Sequence, residues 1–377
     1  MSLTREQICE SASRKLSTAA ANLKSIPAVI GLDGFVDEII AVVDKRFDHH
    51  RYDRMKTIDF LGQKILKAAG QSSNYELLVL QTKLGGNGPI MANALAAAGL
   101  AVTYIGNLGY PTIHPVFAEL ANRSRVFSIA EPGHTDALEF EDGKLMLGKH
   151  QCLGDISWEN ILARVGEKQL VELFSSARLV GMVNWTMLPF MSDIWSKLQT
   201  EIFPKCPKQE RVFFVDLADP EKRTHEDIAA ALKILSGFQG AASVILGLNL
   251  KEAGEIADVL KIKVSGDAEA AIEKTASAIR EKLNISCVVV HPRRGAAAAT
   301  AGESASFSGP FVEQPKISTG AGDHFNAGFC LGRVLGLTLS ESLCTGVGTS
   351  GFYVRSAKSP TARELAEFIA KLPPPEA

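Results

Sequence analysis

An aspartate that follows a glycine-rich turn and opens a helix can serve as a general base beside an anion site. Ser318-Thr319-Gly320-Ala321-Gly322-Asp323-His324-Phe325-Asn326-Ala327-Gly328 has that form. Gly320 and Gly322 let the main chain turn sharply and bring its N–H groups close to a ligand. A helix starting here aims those N–H groups, and the positive end of its dipole, at whatever lies in front. A carboxylate at the same spot would repel a phosphate unless it had a separate task. The natural task for Asp323 is to take the proton from a hydroxyl as that oxygen attacks phosphorus. The plainer alternative is an ordinary turn in which Asp323 caps the helix. Phe325, Ala327, Gly328 and Phe329 then form a small-residue face able to pack closely on a sheet. Leu331, Val334 and Leu335 continue it at helical spacing.

Three further places carry polar groups at useful spacing. Gly31-Leu32-Asp33-Gly34-Phe35-Val36-Asp37 follows the first strand-like run. Its two carboxylates can each accept hydrogen bonds from the hydroxyls of a polyol, or Asp33 can bond its own backbone in a turn. Gly85 and Gly86, followed by Asn87 and Pro89 at a helix start, make a loop where backbone touches a ligand directly. Asn249 and Glu252, three apart after another strand, fit a capping box. Asn184, just past an apolar run, reads as a strand-end turn within reach of the same crevice as Asp33.

The stretch ending in Asp323 resembles the C-terminal signature of the PfkB (ribokinase-like) family of carbohydrate and nucleoside kinases, roughly D-T-T-G-A-G-D-x-F-x-x-G. Ile317 stands where that pattern has its first Asp. The resemblance implies that Asp323 is the catalytic base and that Gly320, Ala321 and Gly322 form the anion hole. The Gly85–Asn93 segment is similar to the family's N-terminal signature, G-G-x-x-x-N-x-A, with Ile90 at the usual Asn and Asn87 three residues earlier to supply an amide. It also resembles the corresponding loop of ADP-dependent glucokinases and phosphofructokinases of the same superfamily. In the resembled family an Asp after the first strand binds the acceptor's hydroxyls; Asp37 fits that place best, with Asp33 next. Asn249 and Glu252 match the family's N-x-x-E pair, which organises Mg²⁺ and its waters, a role suited to an ion that keeps most of its hydration. Val288–Gly295 resembles the segment V-V-V-T-x-G-x-x-G near the nucleotide, with Arg293 and Arg294 as an exposed basic turn or as phosphate contacts. Thr319, Gly295 and Gly346 complete the nucleotide-binding set, and Lys149 joins Arg293 as a candidate to assist the transferring phosphate. The expected function is transfer of the terminal phosphoryl group of MgATP to a hydroxyl of a sugar or related polyol. The alternatives are an ADP-dependent sugar kinase, a nucleoside kinase, or a non-catalytic sugar-binding protein on the same fold.

Something must hold these groups at one crevice. Ala28–Leu32, Leu77–Gln81, Val102–Ile105, Leu179–Val183, Val212–Asp216, Val244–Leu248 and Cys287–His291 are short apolar runs. They alternate with helix-period segments Pro89–Ala98, Leu188–Leu198, Asp227–Leu235, Lys251–Leu260 and Ala268–Lys282. That pattern predicts an α/β, ribokinase-like doubly wound fold: a mostly parallel sheet with helices on both faces. Ligands then lie beyond the carboxyl ends of the strands. Gly34–Val43 and a hairpin about Asp142-Gly143 break the alternation and predict a small β lid. The chain reads as one kinase domain over residues 1–377, with lid segments at about 34–50 and 126–150. In the resembled family such lid strands often pair between subunits, which leaves a homodimer through the lid open for this chain. The 377 residues are 46% hydrophobic with a net charge of -2, which gives no electrostatic reason to expect nucleic acid. Six cysteines lack paired metal-ligand spacing and read as free thiols. The first 14 residues lack a signal-like apolar core, and no run is long enough for a membrane span. A cytoplasmic enzyme is the expectation.

Overall fold

Strands covered on both faces must be apolar along their whole length, and the central ones here are. The computed structural model describes residues 3–263 and 271–375. Fourteen strands run in chain order among these residues. The first seven are β1 (Pro27–Leu32), β2 (Phe35–Arg46), β3 (Tyr52–Arg54), β4 (Glu76–Gly85), β5 (Ala101–Gly106), β6 (Arg125–Ser128) and β7 (Gly133–Phe140). The rest are β8 (Gly143–Lys149), β9 (Leu179–Val183), β10 (Val212–Asp216), β11 (Ser243–Leu248), β12 (Cys287–Val290), β13 (Gly295–Thr300) and β14 (Ser304–Ser308). Nine form one sheet in the order β14-β13-β12-β11-β10-β9-β1-β5-β6. Seven of them are parallel, and β13 and β14 close the β12 edge antiparallel.

Side-chain alternation divides the core in two. Val29, Val180, Phe213, Val215, Val244, Leu246 and Val288 enter one cluster. Ala28, Ile30, Leu179, Phe214, Ile245 and Val289, from the same strands, enter the other. Each fully buried side chain of this size contributes roughly 1.5–3 kcal/mol. A doubly wound sheet is the arrangement that satisfies both faces at once.

The remaining five strands make a second sheet, β3-β2-β7-β8, with β4 antiparallel to β2. Only one of its faces has a core of its own: Ile40, Val42, Met55, Leu61, Leu138 and Phe140, under the helix Ile58–Lys67. Leu77, Val79, Met146 and Leu147 remain about half exposed. Two expectations change here. The Leu77–Gln81 run, placed in the alternating parallel set, lies in β4 of this second sheet. Residues 126–128, placed in the lid, belong to β6 of the large sheet, where they pair with Tyr104–Gly106. Short apolar runs look alike in both settings, and only tertiary pairing separates them. Helix boundaries also shift: the helix expected over Leu188–Leu198 spans Met191–Lys197, after a turn. That expected over Ala268–Lys282 is seen as Ile272–Leu283, and its start at Ala268–Ala270 lies outside the described residues.

Candidate active site

Asp33 leaves the carboxyl end of β1 and enters the protein rather than the solvent. Its carboxylate accepts from Asn87 N at 2.9 Å, Gly88 N at 2.8 Å and Asn184 Nδ2 at 2.7 Å. Those two backbone donors open the helix Asn87–Ala98, whose N-cap Gly86 has no side chain to satisfy them. Asp33 caps that helix from across the fold. Its side chain is fully buried, and burial pushes its pKa up to about 6 against the pull of these donors. This corrects the expectation that Asp33 offers its carboxylate to a ligand. With three internal donors and no exposed surface, it fixes the shape of the Gly85–Asn87 loop.

Asp37 is the better-placed acid. It lies on β2 directly opposite Lys83, and its carboxylate occupies the space that a side chain at Gly85 would need. It is half-buried; burial raises its pKa, while the Thr135 hydroxyl bonded to it works the other way. Gly85 ends β4 and Gly86 follows with φ 96°, so the chain passes from the small sheet into the helix within two residues.

Asn87 joins this loop to the base. Its Nδ2 donates to Asp323 Oδ1 at 2.9 Å. Asp323 occupies the first turn of the helix Ala321–Val334, behind Gly320, which adopts φ 87°. Its carboxyl is buried, and burial holds the pKa well above the usual carboxylate range, with the charges of Asp216 and Asp33 adding to it and the Asn87 bond opposing. The Ala321 N–H donates to Ser318 O at 3.1 Å. The Asp323 N–H bonds its own carboxylate, whereas the Gly322 N–H stands where a helix offers no internal acceptor and can meet an anion.

On the other side of this turn lies a cavity of about 660 Å³. Gly322, Ala321, Asn249, Gly295, Arg293 and His291 line its polar part, and Phe325, Val347 and Val354 its apolar part. Gly346 and Thr319, expected here, do not line it. Gly346 sits against the Phe325 ring, and the face of the helix Leu339–Ser356 that meets the cavity carries Val347, Ser350, Gly351 and Val354 instead. Thr319 is exposed and its neighbour Ser318 lines the wall. Lys149, on β8, pairs with Asp136 at 2.7 Å in the second sheet.

Asn249 and Glu252 form a complete capping box: Asn249 Oδ1 accepts from Glu252 N at 3.0 Å, and Glu252 Oε2 accepts from Asn249 N at 2.8 Å. Glu252 Oε1 takes a third bond, from Asp219 N at 2.9 Å. Burial, and then the charge of Asp216, push the Glu252 pKa up to about 7. Asp216, at the end of β10, accepts from Asn326 Nδ2 at 2.7 Å and Ala218 N at 2.9 Å; burial raises it to about 6. Asp33, Asp216, Glu252 and Asp323 therefore form a chain of electrostatically linked buried acids across the strand ends. Among the described residues, a second acidic group, Asp219, Glu221 and Glu255, gathers around the Lys251 ammonium, which pairs with all three.

The model of the prokaryotic ketohexokinase family matches residues 4–372. The chain belongs to the prokaryotic ketohexokinase family. It is similar to a ketohexokinase of Haloferax volcanii, 30% identical over 344 residues that cover 91% of this chain and 90% of that one. Its fold is similar to that of a phosphofructokinase-2 variant from Escherichia coli, with TM-score 0.63, 15% identity, and 92% and 98% of the two chains covered. It is also similar to Arabidopsis thaliana ribokinase in complex with ribose and ATP, with TM-score 0.61, 16% identity, and 91% and 98% covered. This prokaryotic ketohexokinase-family member is a sugar kinase of the ribokinase-like fold, a phosphotransferase acting on a sugar hydroxyl. No helix among the described residues is long and apolar enough to cross a membrane.

The contacts of several residues near the strand ends of this ketohexokinase relative go beyond a reading of the sequence. Asn184 does form a strand-end turn, with φ 63°, but its amide also holds Asp33. Asp216 ends a strand at the ligand-facing edge, a position that could have flagged it. Asn326 lies one helical turn beyond Asp323, a spacing that puts both on one face. His291 follows β12; its ring packs on Phe325 with centroids 4.6 Å apart, and its buried Nε2 has no protein partner.

Proposed function

We propose that this sugar kinase transfers the terminal phosphoryl group of MgATP to a hydroxyl of a ketohexose, with Asp323 as the base. The observation that supports the reading most is the position of Asp323. Its carboxyl touches the acceptor loop through Asn87, while the turn that carries it opens onto the 660 Å³ cavity. A hydroxyl oxygen held beside Asp37 and Asn87 attacks the terminal phosphorus, its proton passes to Asp323, and the bond between that phosphorus and the bridging oxygen of the donor breaks. The Gly322 N–H, at the positive end of the helix, faces the negative charge on the transferring group. A raised pKa suits an acid that must keep the proton it takes, provided it starts ionised. The second sheet is read as a lid over the acceptor.

The residues suit Mg²⁺. Asp216 and Glu252 are buried oxygen donors whose ionisation is disfavoured as they stand, a state that a hard divalent cation relieves. Both already accept N–H bonds, so they would hold the ion through its waters. The ion supplies charge neutralisation for the donor phosphates.

The family and the Haloferax volcanii relative favour ketohexoses, and a screen tests this directly. Ketohexoses, aldohexoses, pentoses and nucleosides are offered with MgATP or MgADP, and the phosphorylated product is measured. A ketohexose with MgATP is expected to give the highest kcat/KM. Preference for MgADP or for a nucleoside would replace the reading with one of its alternatives. Sugar binding by calorimetry with no product would make the protein a non-catalytic binder.

A further inference from the structure

His324 follows the base directly, and its imidazole is buried in a second set of contacts. Nδ1 lies 2.7 Å from the Gly320 carbonyl oxygen and Nε2 lies 2.9 Å from Ser359 Oγ. A carbonyl only accepts, so Nδ1 carries the proton and Nε2 accepts from the Ser359 hydroxyl. Burial holds the imidazole pKa down to about 4, in keeping with a neutral ring of fixed tautomer. One face of the ring stacks on Tyr353, with centroids 3.6 Å apart and planes 14° from parallel. The Tyr353 hydroxyl in turn donates to the Thr319 carbonyl oxygen at 3.0 Å.

Two consecutive carbonyls ahead of the anion turn are thus held by one stacked pair, the Gly320 oxygen also by the His324 backbone N–H at 3.1 Å. In a trans peptide the C=O and the following N–H point in opposite directions. Fixing the Thr319 and Gly320 oxygens therefore fixes the N–H of Gly320 and of Ala321, and with them the path into Asp323. The turn needs such support. Gly320 sits at φ 87°, a conformation glycine enters freely and leaves as freely. Ser359, 35 residues farther along the chain, ties the brace to the segment after the helix Leu339–Ser356.

We propose that His324 and Tyr353 are positioning residues, which hold the Thr319–Gly320 turn so that the Gly322 N–H and Asp323 beyond it stay aligned for phosphoryl transfer. The inference rests on the kinase reading above for its effect on turnover, but not for its effect on the turn.

His324→Phe keeps a ring on Tyr353 and deletes both hydrogen bonds; Tyr353→Phe keeps the stack and frees the Thr319 carbonyl. We expect kcat to fall about 10-fold or more in the first and several-fold in the second, with sugar KM within about 2-fold in both. His324→Asn, whose amide can replace the Nδ1 donor, should recover part of the loss. Hydrogen exchange of the amides across 319–323 should accelerate in His324→Phe without substrate present, and stay unchanged in the large sheet. Unaltered exchange across the turn, or wild-type kcat in both Phe variants, would overturn the proposal. Should His324→Phe fail to fold, the same two readouts on Tyr353→Phe decide. A wild-type protein that phosphorylates no sugar would sink the kinase reading, while the exchange measurement would still decide this one.

Discussion

The two sides of Asp323 are built on different principles. Toward the acceptor loop, polar groups are engaged with one another: Asp33 with the backbone N–H groups of Asn87 and Gly88 and the Asn184 amide, and the Asn87 amide with the base itself. Toward the cavity, His291 lines the wall with its Nε2 buried and without a protein partner, and much of the wall is apolar. A network whose members hold each other is costly to disturb, since each loss leaves another group unsatisfied. An open cavity takes its order from what enters it. Substitutions on the acceptor side should therefore change turnover, and those on the cavity side should change nucleotide affinity.

Removing the proton acceptor is the largest expected break. Asp323→Asn keeps the shape and the contact with Asn87 but takes no proton, and kcat should fall about 10³-fold with both KM values nearly unchanged. Near-normal turnover would remove Asp323 from the chemistry. The same variant should be more stable at pH 8. The folded state holds the Asp323 proton more tightly than the unfolded chain, whose value lies near 3.8. Wild-type stability thus declines as pH rises from about 4 toward the raised folded value, and the Asn variant is spared that decline. Thermal melts at several pH values read it out.

An intermediate effect is expected at Asn87, where the two sides meet. Asn87→Ala should lower kcat by about 10- to 100-fold, because a misplaced base is nearly as damaging as a weak one. The Asn87 bond favours ionised Asp323, so its loss should also move the acid limb of kcat/KM to higher pH. A limb that stays in place would show that Asn87 holds geometry alone. The smallest change belongs to the cavity rim: Arg293→Ala should raise nucleotide KM about 3-fold, fading with added salt and leaving sugar KM alone.

What could be read from the chain follows the range of the interactions. The Gly320–Asp323 turn and the Asn249–Glu252 box are local, made within a few residues, and both stand as local motifs. The doubly wound sheet was legible because a strand buried on both faces must be apolar throughout. Asn184 was legible at its turn and beside the crevice, but its bond to Asp33 and that of Asp216 to Asn326 were not, since the partners lie 151 and 110 residues away and leave no spacing to recognise. Asp33 and Asp37 are chemically alike, and only the path of β1 and β2 shows which one is enclosed. Gly346 was misplaced by a single position, about 100° of helix rotation, enough to exchange the cavity for the core.

The small sheet leaves the body of the protein through β2 and returns to it through β4. Asp33 and Gly34 are the only residues between β1 and β2, and Gly86 alone separates β4 from the next helix. Phe35 and Gly85 are paired across these two roots. Asp37 lies two residues along β2 from Phe35, while Leu77 pairs with Val42 seven residues out, so the acid stands at the root of the sheet and Leu77 at its far end.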